Sequence, residues 1–523
     1  MSPLDPFRAV LKHYWDLGLT SCGGPAVHVI ILRKRFVESL KWLDEQTFLD
    51  LFALGNALPG PGSTQLAFSI AVITHGVFPG VFAFFLWSIP GAIGMAGIGA
   101  GVSRIPSELP GIVLAFLTGL NAAAVGLIAL AAWQLGSAAS TDRLSTLLVW
   151  LGASFGICYH APWMYPVLIV AGGLATLIWD HRRRIRASVK RVVIGERRDR
   201  RTRPRGNREE SGMELRPRET STARDGGQEG EEEEVAEPPS RQSSARGDHQ
   251  PSGNSIAESQ ASPTAPPMDP TEAGRLDVVS TRTACLIIFG FVLLLTGPLA
   301  ARAGLRNAGK AVPRGLDFFG NMLIAGTIIF GGGPVVIPLL RDYVVAEGWV
   351  SSRDFLLVFA ILQAFPGPNF NYAVALGVLA NPSNRALGAL LGYLGIFSPG
   401  IILKLGLLPL YASWRGKPIS RSILRGLNSV ASGLVFTAVW QLFLIGYIYT
   451  SPSGRDQGGE TGGQGQGQGQ GRQTVSGPLT LDPFWAVVSS GALVACKWFA
   501  APPWLSIILG ALAGLAWHGV QVK

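Results

Sequence analysis

The chain has 523 residues, of which 48% are hydrophobic and only 15% are charged, with a formal net charge of +10. Mean hydropathy is +0.31 in spite of a long polar middle segment, so the composition argues against a soluble enzyme core and predicts a polytopic membrane protein. Between residues 182 and 205, twelve basic side chains stand against two acidic ones. This surplus equals the whole net charge, so binding to nucleic acid is not indicated.

The spacing of cysteines and histidines does not indicate a disulfide framework, a metal site or a catalytic site. The four cysteines and seven histidines are scattered along the chain, without the spacing of a disulfide framework or of a metal site. No nucleophile elbow, phosphate-binding loop or pair of carboxylates is present in a soluble context. We therefore expect no enzyme, no metal and no cofactor.

The first apolar segment, residues 14–32, is interrupted by Gly23, Gly24 and Pro25. It also carries Asp16 ahead of the break. A carboxylate inside a membrane segment is costly and usually faces a pathway, so Asp16 is a candidate proton-coupling group. An equally good alternative places Asp16 at the level of the lipid headgroups.

A basic cluster that includes Arg33 follows this segment and ends at Trp42. Basic and aromatic residues together are typical of an anchor at the membrane interface. The functional alternative is that a cation such as Arg33 draws an anion toward a site.

The second apolar segment, residues 50–75, is interrupted as well. Proline removes a backbone donor and glycine permits unusual backbone conformations, so the helix should stop and restart at this break. A restarting helix exposes free N–H groups and the positive end of its dipole, which together form an anion site. The residues of the break and the polar side chains just after it are Pro59, Gly60, Pro61, Ser63, Thr64 and Gln65.

Both breaks recur in the second half of the chain, at offsets of 309 and 307 residues. The same offsets align Trp42 with Trp349 and Pro90-Gly91 with Pro399-Gly400. So many matches indicate an internal duplication. The repeated break residues and the amides after them are Gly332, Gly333, Pro334, Pro366, Gly367, Pro368, Asn369 and Asn371.

Domain boundaries can be placed from these patterns. We expect a first repeat at 1–180, a disordered basic and acidic linker on the cytoplasmic side at 181–283, and a single transmembrane helix at 284–302. A second repeat would occupy 303–523, with a Gly/Gln-rich loop at 451–478. Because an extra crossing inverts the orientation of every later helix, the second repeat should run antiparallel to the first.

Lys404 lies in an apolar run of the second repeat, near Pro399-Gly400. It could offset the charge of a bound anion. The alternative is that its ammonium extends to the membrane interface, as lysines near helix ends usually do.

At the Gly-Gly-Pro and Pro-Gly-Pro motifs the sequence resembles the chromate ion transporter family, in its long form with two homologous domains. The likeness covers residues 7–180 and 284–520. It implies transport of chromate, with sulfate as a look-alike dianion, and leaves open whether the direction is uptake or efflux.

The expected fold is therefore an all-α polytopic membrane protein with two inverted repeats of broken helices and about 10–13 crossings. The expected function is alternating-access transport of chromate, and of sulfate as a second substrate, which contributes to chromate resistance or sensitivity. A passive anion channel, a sulfate transporter of the same fold and a scaffold acting through the linker are the alternatives. Expected partners are the oxyanion and the lipid bilayer of the plasma membrane, with a homodimer left open.

Overall fold

The structure is a computed structural model that describes residues 4–21, 24–106, 109–159, 161, 163–201, 279–330, 336–362, 365–414, 417–452 and 472–521. Side chains at Ala26, 183–201, 410–414, 450–452 and 472–476 are not described. The expectations for Gly23, Gly332, Gly333 and Pro334, for most of the linker and for the tract 453–471 lie outside the described residues.

All regular secondary structure described in the first half is helical. A π-helical turn, Lys34–Ser39, comes directly after the third helix. The helices in chain order are α1 (Asp5–Tyr14), α2 (Leu17–Thr20), α3 (Gly24–Arg33), α4 (Glu45–Ala57), α5 (Gly62–His75), α6 (Val77–Val102), α7 (Gly111–Ala139), α8 (Arg143–Cys158) and α9 (Met164–Arg201).

The second half begins with the helix expected after the linker. Short 3₁₀ turns lie at Asn369–Asn371 and Leu479–Leu481. Its helices are α10 (Thr281–Asn307), α11 (Arg314–Ile328), α12 (Val336–Val344), α13 (Ser352–Leu362), α14 (Tyr372–Ala380), α15 (Arg385–Trp414), α16 (Pro418–Ile445), α17 (Pro483–Trp498) and α18 (Pro503–Gln521).

Seven helices of the described chain are long and apolar enough to cross a membrane, namely α6, α7, α9, α10, α15, α16 and α18. The expectation of an all-α polytopic membrane protein is confirmed. This number is lower than the ten to thirteen crossings expected from hydropathy. Each broken apolar segment is divided between short helices, and α8 and α17 are unbroken but have only 16 residues each.

The breaks form where proline and glycine chemistry predicts them. Helix α4 ends at Ala57 and α5 begins at Gly62, with Pro61 in extended conformation as the N-terminal cap. Gly60 has φ +105° and its counterpart Gly367 has φ +97°, a region that side chains with a Cβ avoid. Glycine at these two positions therefore lets the chain reverse between the paired short helices.

One long helix of each repeat packs against helices of the other repeat, and we call this arrangement the exchange. Helix α7 packs mainly against α17 and α18, and α16 packs mainly against α8. Glycines allow the close approach: a Cβ added at Gly119 would collide with the carbonyl oxygen of Gly510, and one added at Gly426 would collide with that of Gly172. Gly119 and Gly426 are equivalent positions of the duplication, so the exchange is symmetric.

A short antiparallel hairpin lies at the ends of the Gly/Gln-rich loop. Its strands are β1 (Tyr447–Pro452) and β2 (Arg472–Gly477), with Tyr447 opposite Gly477. Thr118 Oγ1 on α7 donates to the carbonyl of Ile448 at 3.2 Å. The sequence predicted the loop and did not predict the strands that flank it.

Candidate functional site

The breaks of the two repeats meet through two equivalent hydrogen bonds. Gly60 N–H donates to the carbonyl of Ile329 at 2.7 Å, and Gly367 N–H donates to the carbonyl of Ser21 at 2.9 Å. In each bond the Pro-Gly-Pro break of one repeat is joined to the residues just ahead of the Gly-Gly-Pro break of the other. We name this meeting point the crossover, and define it by Ser21, Pro59–Pro61, Ile329 and Pro366–Pro368.

The duplicated Pro-Gly pairs pack directly against the crossover. A Cβ added at Gly400 would lie 3.0 Å from the carbonyl oxygen of Pro59 and 3.1 Å from Cα of Gly60. A Cβ added at Gly91 would lie 2.9 Å from the carbonyl oxygen of Pro366. The long helices α6 and α15 thus each touch the break of the other repeat, and only glycine fits at these contacts.

Polar side chains of the first turn of α5 are buried beside the crossover. Ser63 Oγ lies 3.1 Å from Nδ1 of His28, and Thr64 Oγ1 accepts from Trp87 Nε1 at 3.2 Å. Gln65 Nε2 donates to the carbonyl of Pro59 at 2.6 Å. The three residues predicted from the sequence are therefore together, buried and held by hydrogen bonds.

The second repeat contributes amides in the equivalent place. Asn371 Nδ2 donates to the carbonyl of Ser88 at 3.1 Å, and the Ser88 hydroxyl lies 2.6 Å from Tyr393 Oη. Asn369 Nδ2 lies 4.0 Å from where a Cβ of Gly24 would be. Asn369 and Asn371 are both buried.

Lys404 is fully buried rather than extended to the interface. Its ammonium donates to the carbonyl of Leu51 at 2.9 Å and lies 3.7 Å from a Cβ added at Gly55, beside the break between α4 and α5. Among the described residues no carboxylate oxygen lies within 4.0 Å of this ammonium. Burial removes water from this amine, so its charged form would be costly without a partner of opposite sign.

Asp16 and Arg33 form ion pairs of their own. Arg35 binds Asp16 with both terminal nitrogens, at 2.5 and 2.7 Å. The Arg33 side chain is 47% exposed and pairs with Glu45 at 2.9 Å. Both side chains therefore have partners outside the crossover.

The crossover is closely packed in this conformation, and several polar atoms in it and near it in sequence lack partners. Buried atoms without a hydrogen-bond partner in the described chain include Ser21 Oγ, Gln65 Oε1, Asn371 Oδ1 and Ser398 Oγ. A separate cavity of about 460 Å³ opens between α10, α11 and α12, where Arg302 is one of its lining residues. Within the described residues, no group of three His, Cys, Asp or Glu side chains is placed to hold a metal.

The sequence did not predict all of the buried polar side chains around the crossover. The sequence patterns did not assign His28, Trp87, Ser88 or Tyr393 to the site. None of the four lies in a break. The available signal was that polar and aromatic side chains recur in apolar runs next to the duplicated Pro-Gly pair.

Fold and site together define a polytopic membrane protein built from two copies of one helical unit, with broken helices from both copies meeting at its centre. The chain matches the family model described as chromate transporter over residues 8–177 and 316–515. It therefore belongs to the chromate transporter family, and the resemblance seen in its motifs is confirmed.

Relatives agree with this membership. A chromate transport protein of Pseudomonas aeruginosa is 23% identical over 401 residues, which cover 76% of this chain and 72% of that protein. A chromate transport protein of Cupriavidus metallidurans is 23% identical over 134 residues, 26% of this chain and 33% of the relative. An uncharacterized transporter of Bacillus subtilis, YwrB, is 28% identical over 98 residues, 19% of this chain and 50% of the relative. No solved structure matches.

Proposed function

We propose that the protein transports chromate, and sulfate as a second substrate, by alternating access around the crossover. The observation that carries the proposal is Lys404, a fully buried lysine without a described counter-ion. It contacts Leu51 and Gly55 of α4, and Gly55 in turn faces Gly62 at the start of α5. A dianion placed between this ammonium and the start of α5 would supply the missing negative charge. The family membership and the name of the Pseudomonas relative support chromate as the substrate.

The N-terminal turn of α5 supplies the uncharged part of the proposed site. The first N–H groups of a helix have no partner within the helix, and its dipole favours an anion there. Ser63, Thr64 and Gln65 lie in that turn, and Asn369 and Asn371 take the equivalent place in the second repeat. We propose these five side chains, with the glycines and prolines of the breaks, as the oxyanion contacts.

Alternating access is supported by the way the repeats meet. Each of the two bonds runs from the glycine of one Pro-Gly-Pro break to a carbonyl just ahead of the Gly-Gly-Pro break of the other repeat, so rocking one repeat against the other would change both bonds together. An inverted arrangement of the repeats, with α10 as the inverting helix, fits this symmetry. Asp16 and Arg33 are proposed to anchor the chain at the interface rather than to couple transport.

A location in the plasma membrane, with residues 181–283 on the cytoplasmic side, is inferred from the basic residues at the end of α9 and just beyond it. Assembly as a homodimer is also proposed. If instead the protein were a scaffold acting through this linker, deletion of residues 202–278 would abolish its function. Transport predicts that the deletion leaves anion movement intact.

Counterflow tests the proposal. Vesicles containing the purified protein and loaded with sulfate should take up labelled chromate in exchange, faster than protein-free vesicles. Flux that follows voltage and needs no internal anion would identify a channel. Vesicles with folded protein that move neither anion would refute the transport function.

A further inference from the structure

His28 is the second basic side chain buried at the centre of the molecule. Within the described part of the chain, His28 and Lys404 are the only buried basic residues, and no carboxylate is buried. The ring of Trp87 meets the imidazole edge-on, with centroids 5.2 Å apart. Water is therefore excluded from an ionisable group that touches the turn proposed to hold the anion.

The two hydrogen bonds of His28 determine which ring nitrogen carries the hydrogen. Nε2 faces the carbonyl oxygen of Ser21 at 3.2 Å, and a carbonyl only accepts, so Nε2 must donate. In the neutral ring Nδ1 is then bare and accepts the hydroxyl hydrogen of Ser63 at 3.1 Å. The neutral histidine thus holds the Ser63 hydrogen away from the anion.

Protonation reverses the bond between His28 and Ser63. A proton added at Nδ1 turns this nitrogen into a donor to Ser63 Oγ, and the Ser63 hydrogen is released to point elsewhere. It also adds one positive charge beside the start of α5. Together with the ammonium of Lys404, the imidazolium would match both charges of a chromate or sulfate dianion.

The other ionisable groups on the elements around His28 are at the ends of those elements or are paired. The π-helical turn after α3 carries Lys34, Arg35 and Glu38, of which Arg35 is occupied by Asp16. Helix α5 carries His75 at its far end, and α6 has no charged residue. The carbonyl of Ser21 also accepts from Gly367, so His28 is linked directly to the break of the other repeat.

We propose that His28 is the proton-binding site of the transporter and that one proton moves with each dianion. This inference rests on the proposed transport function and adds the coupling ion to it. Binding of the proton and of the anion is mutually favourable, because each lowers the cost of burying the other. No bond other than the N–H bond at Nδ1 forms or breaks.

The test measures protons and anions in the same vesicles. A chromate gradient is applied at equal pH on both sides, on the alkaline side of neutrality where chromate is a dianion, with the membrane potential clamped by potassium and valinomycin. Labelled chromate gives the anion flux, and an internal pH-sensitive dye gives the proton flux. For the unaltered protein we expect about one proton per anion.

The expected results for the variants are set by the geometry. His28→Gln should lower the ratio of protons to anions to near zero while net chromate uptake continues at a reduced rate. His75→Gln is the control, because His75 lies at the far end of α5 from Ser63 and its ring packs at a tilt against Trp42, with centroids 4.6 Å apart. Its ratio should equal that of the unaltered protein. His28→Asn serves as the second variant if His28→Gln does not fold.

Two results would overturn the inference while leaving transport in place: net chromate uptake without proton movement in the unaltered protein, or an unchanged ratio in the His28 variants. Absence of any chromate movement in the unaltered protein would instead refute the transport function itself.

Discussion

At the scale of the residue, the central feature is a lysine buried in the protein interior. Lys404 is in the second repeat, and the equivalent position of the first repeat is Met95. The duplication is therefore symmetric in its backbone and asymmetric in its charges. Because a lone buried cation destabilises a protein, its presence is best explained by a ligand of opposite charge.

Replacing Lys404 should affect chromate affinity and protein stability in opposite directions. We expect Lys404→Met to lose about 2–5 kcal/mol of chromate binding, a roughly 30-fold or larger drop in affinity, because the anion loses its buried counter-charge. The same change should keep or raise the melting temperature, because a buried charge is replaced by an apolar side chain of similar length. Titration calorimetry and thermal unfolding give the two quantities.

Lys497→Met is the matched control for Lys404→Met. The Lys497 ammonium lies over the ring of Trp133, 4.0 Å from its centroid, and takes no part in the proposed site. Its affinity for chromate should not change. Equal loss in both variants, or a large fall in stability for Lys404→Met with affinity retained, would show that Lys404 has a structural role.

At the scale of the element, the sequence predicted each break and could not predict how the breaks pair. Proline and glycine act locally, so the interruption at Pro59–Pro61 and the polar turn after it were readable from composition. The bond from Gly60 to Ile329 joins residues far apart in sequence, and no local pattern encodes it. His28 was missed for the same reason, since its role depends on Ser63, 35 positions away along the chain.

The backbone conformation at Gly60 leads to a second prediction. Gly60→Ala should destabilise the protein by about 2 kcal/mol or more, because φ is positive there and the new Cβ would lie 2.8 Å from Cα of Gly400. Gly97→Ala, also in the first repeat, meets no atom within 4 Å and should be neutral or slightly stabilising. Denaturation monitored by circular dichroism in detergent compares them. Equal stability of the two variants would contradict the proposed need for glycine at the break.

At the scale of the whole molecule, the exchanged packing of α7 and α16 means that neither repeat is complete alone. Each long helix buries its glycine face against helices of the other repeat. Cross-repeat ion pairs add to this contact, because Arg425 binds Asp142 at 2.5 Å and Asp180 at 2.8 Å. The duplication itself was readable from the sequence, whereas this exchange depends on tertiary contacts.

A split protein tests the exchange. Fragments 1–230 and 231–523, produced together, should purify as one complex and support chromate uptake, because the cut lies between α9 and α10. Each fragment produced alone should aggregate, because the glycine faces of α7 or α16 would lack their partners. Two fragments that are each stable and monodisperse alone would contradict the exchanged arrangement.

The most direct test of the central claim is the position of the bound anion. Crystals of the protein with chromate should show anomalous difference density for chromium beside the first turn of α5, within hydrogen-bond distance of Ser63 and the Lys404 ammonium. Density confined to the cavity beside Arg302, with none at the crossover, would contradict the account.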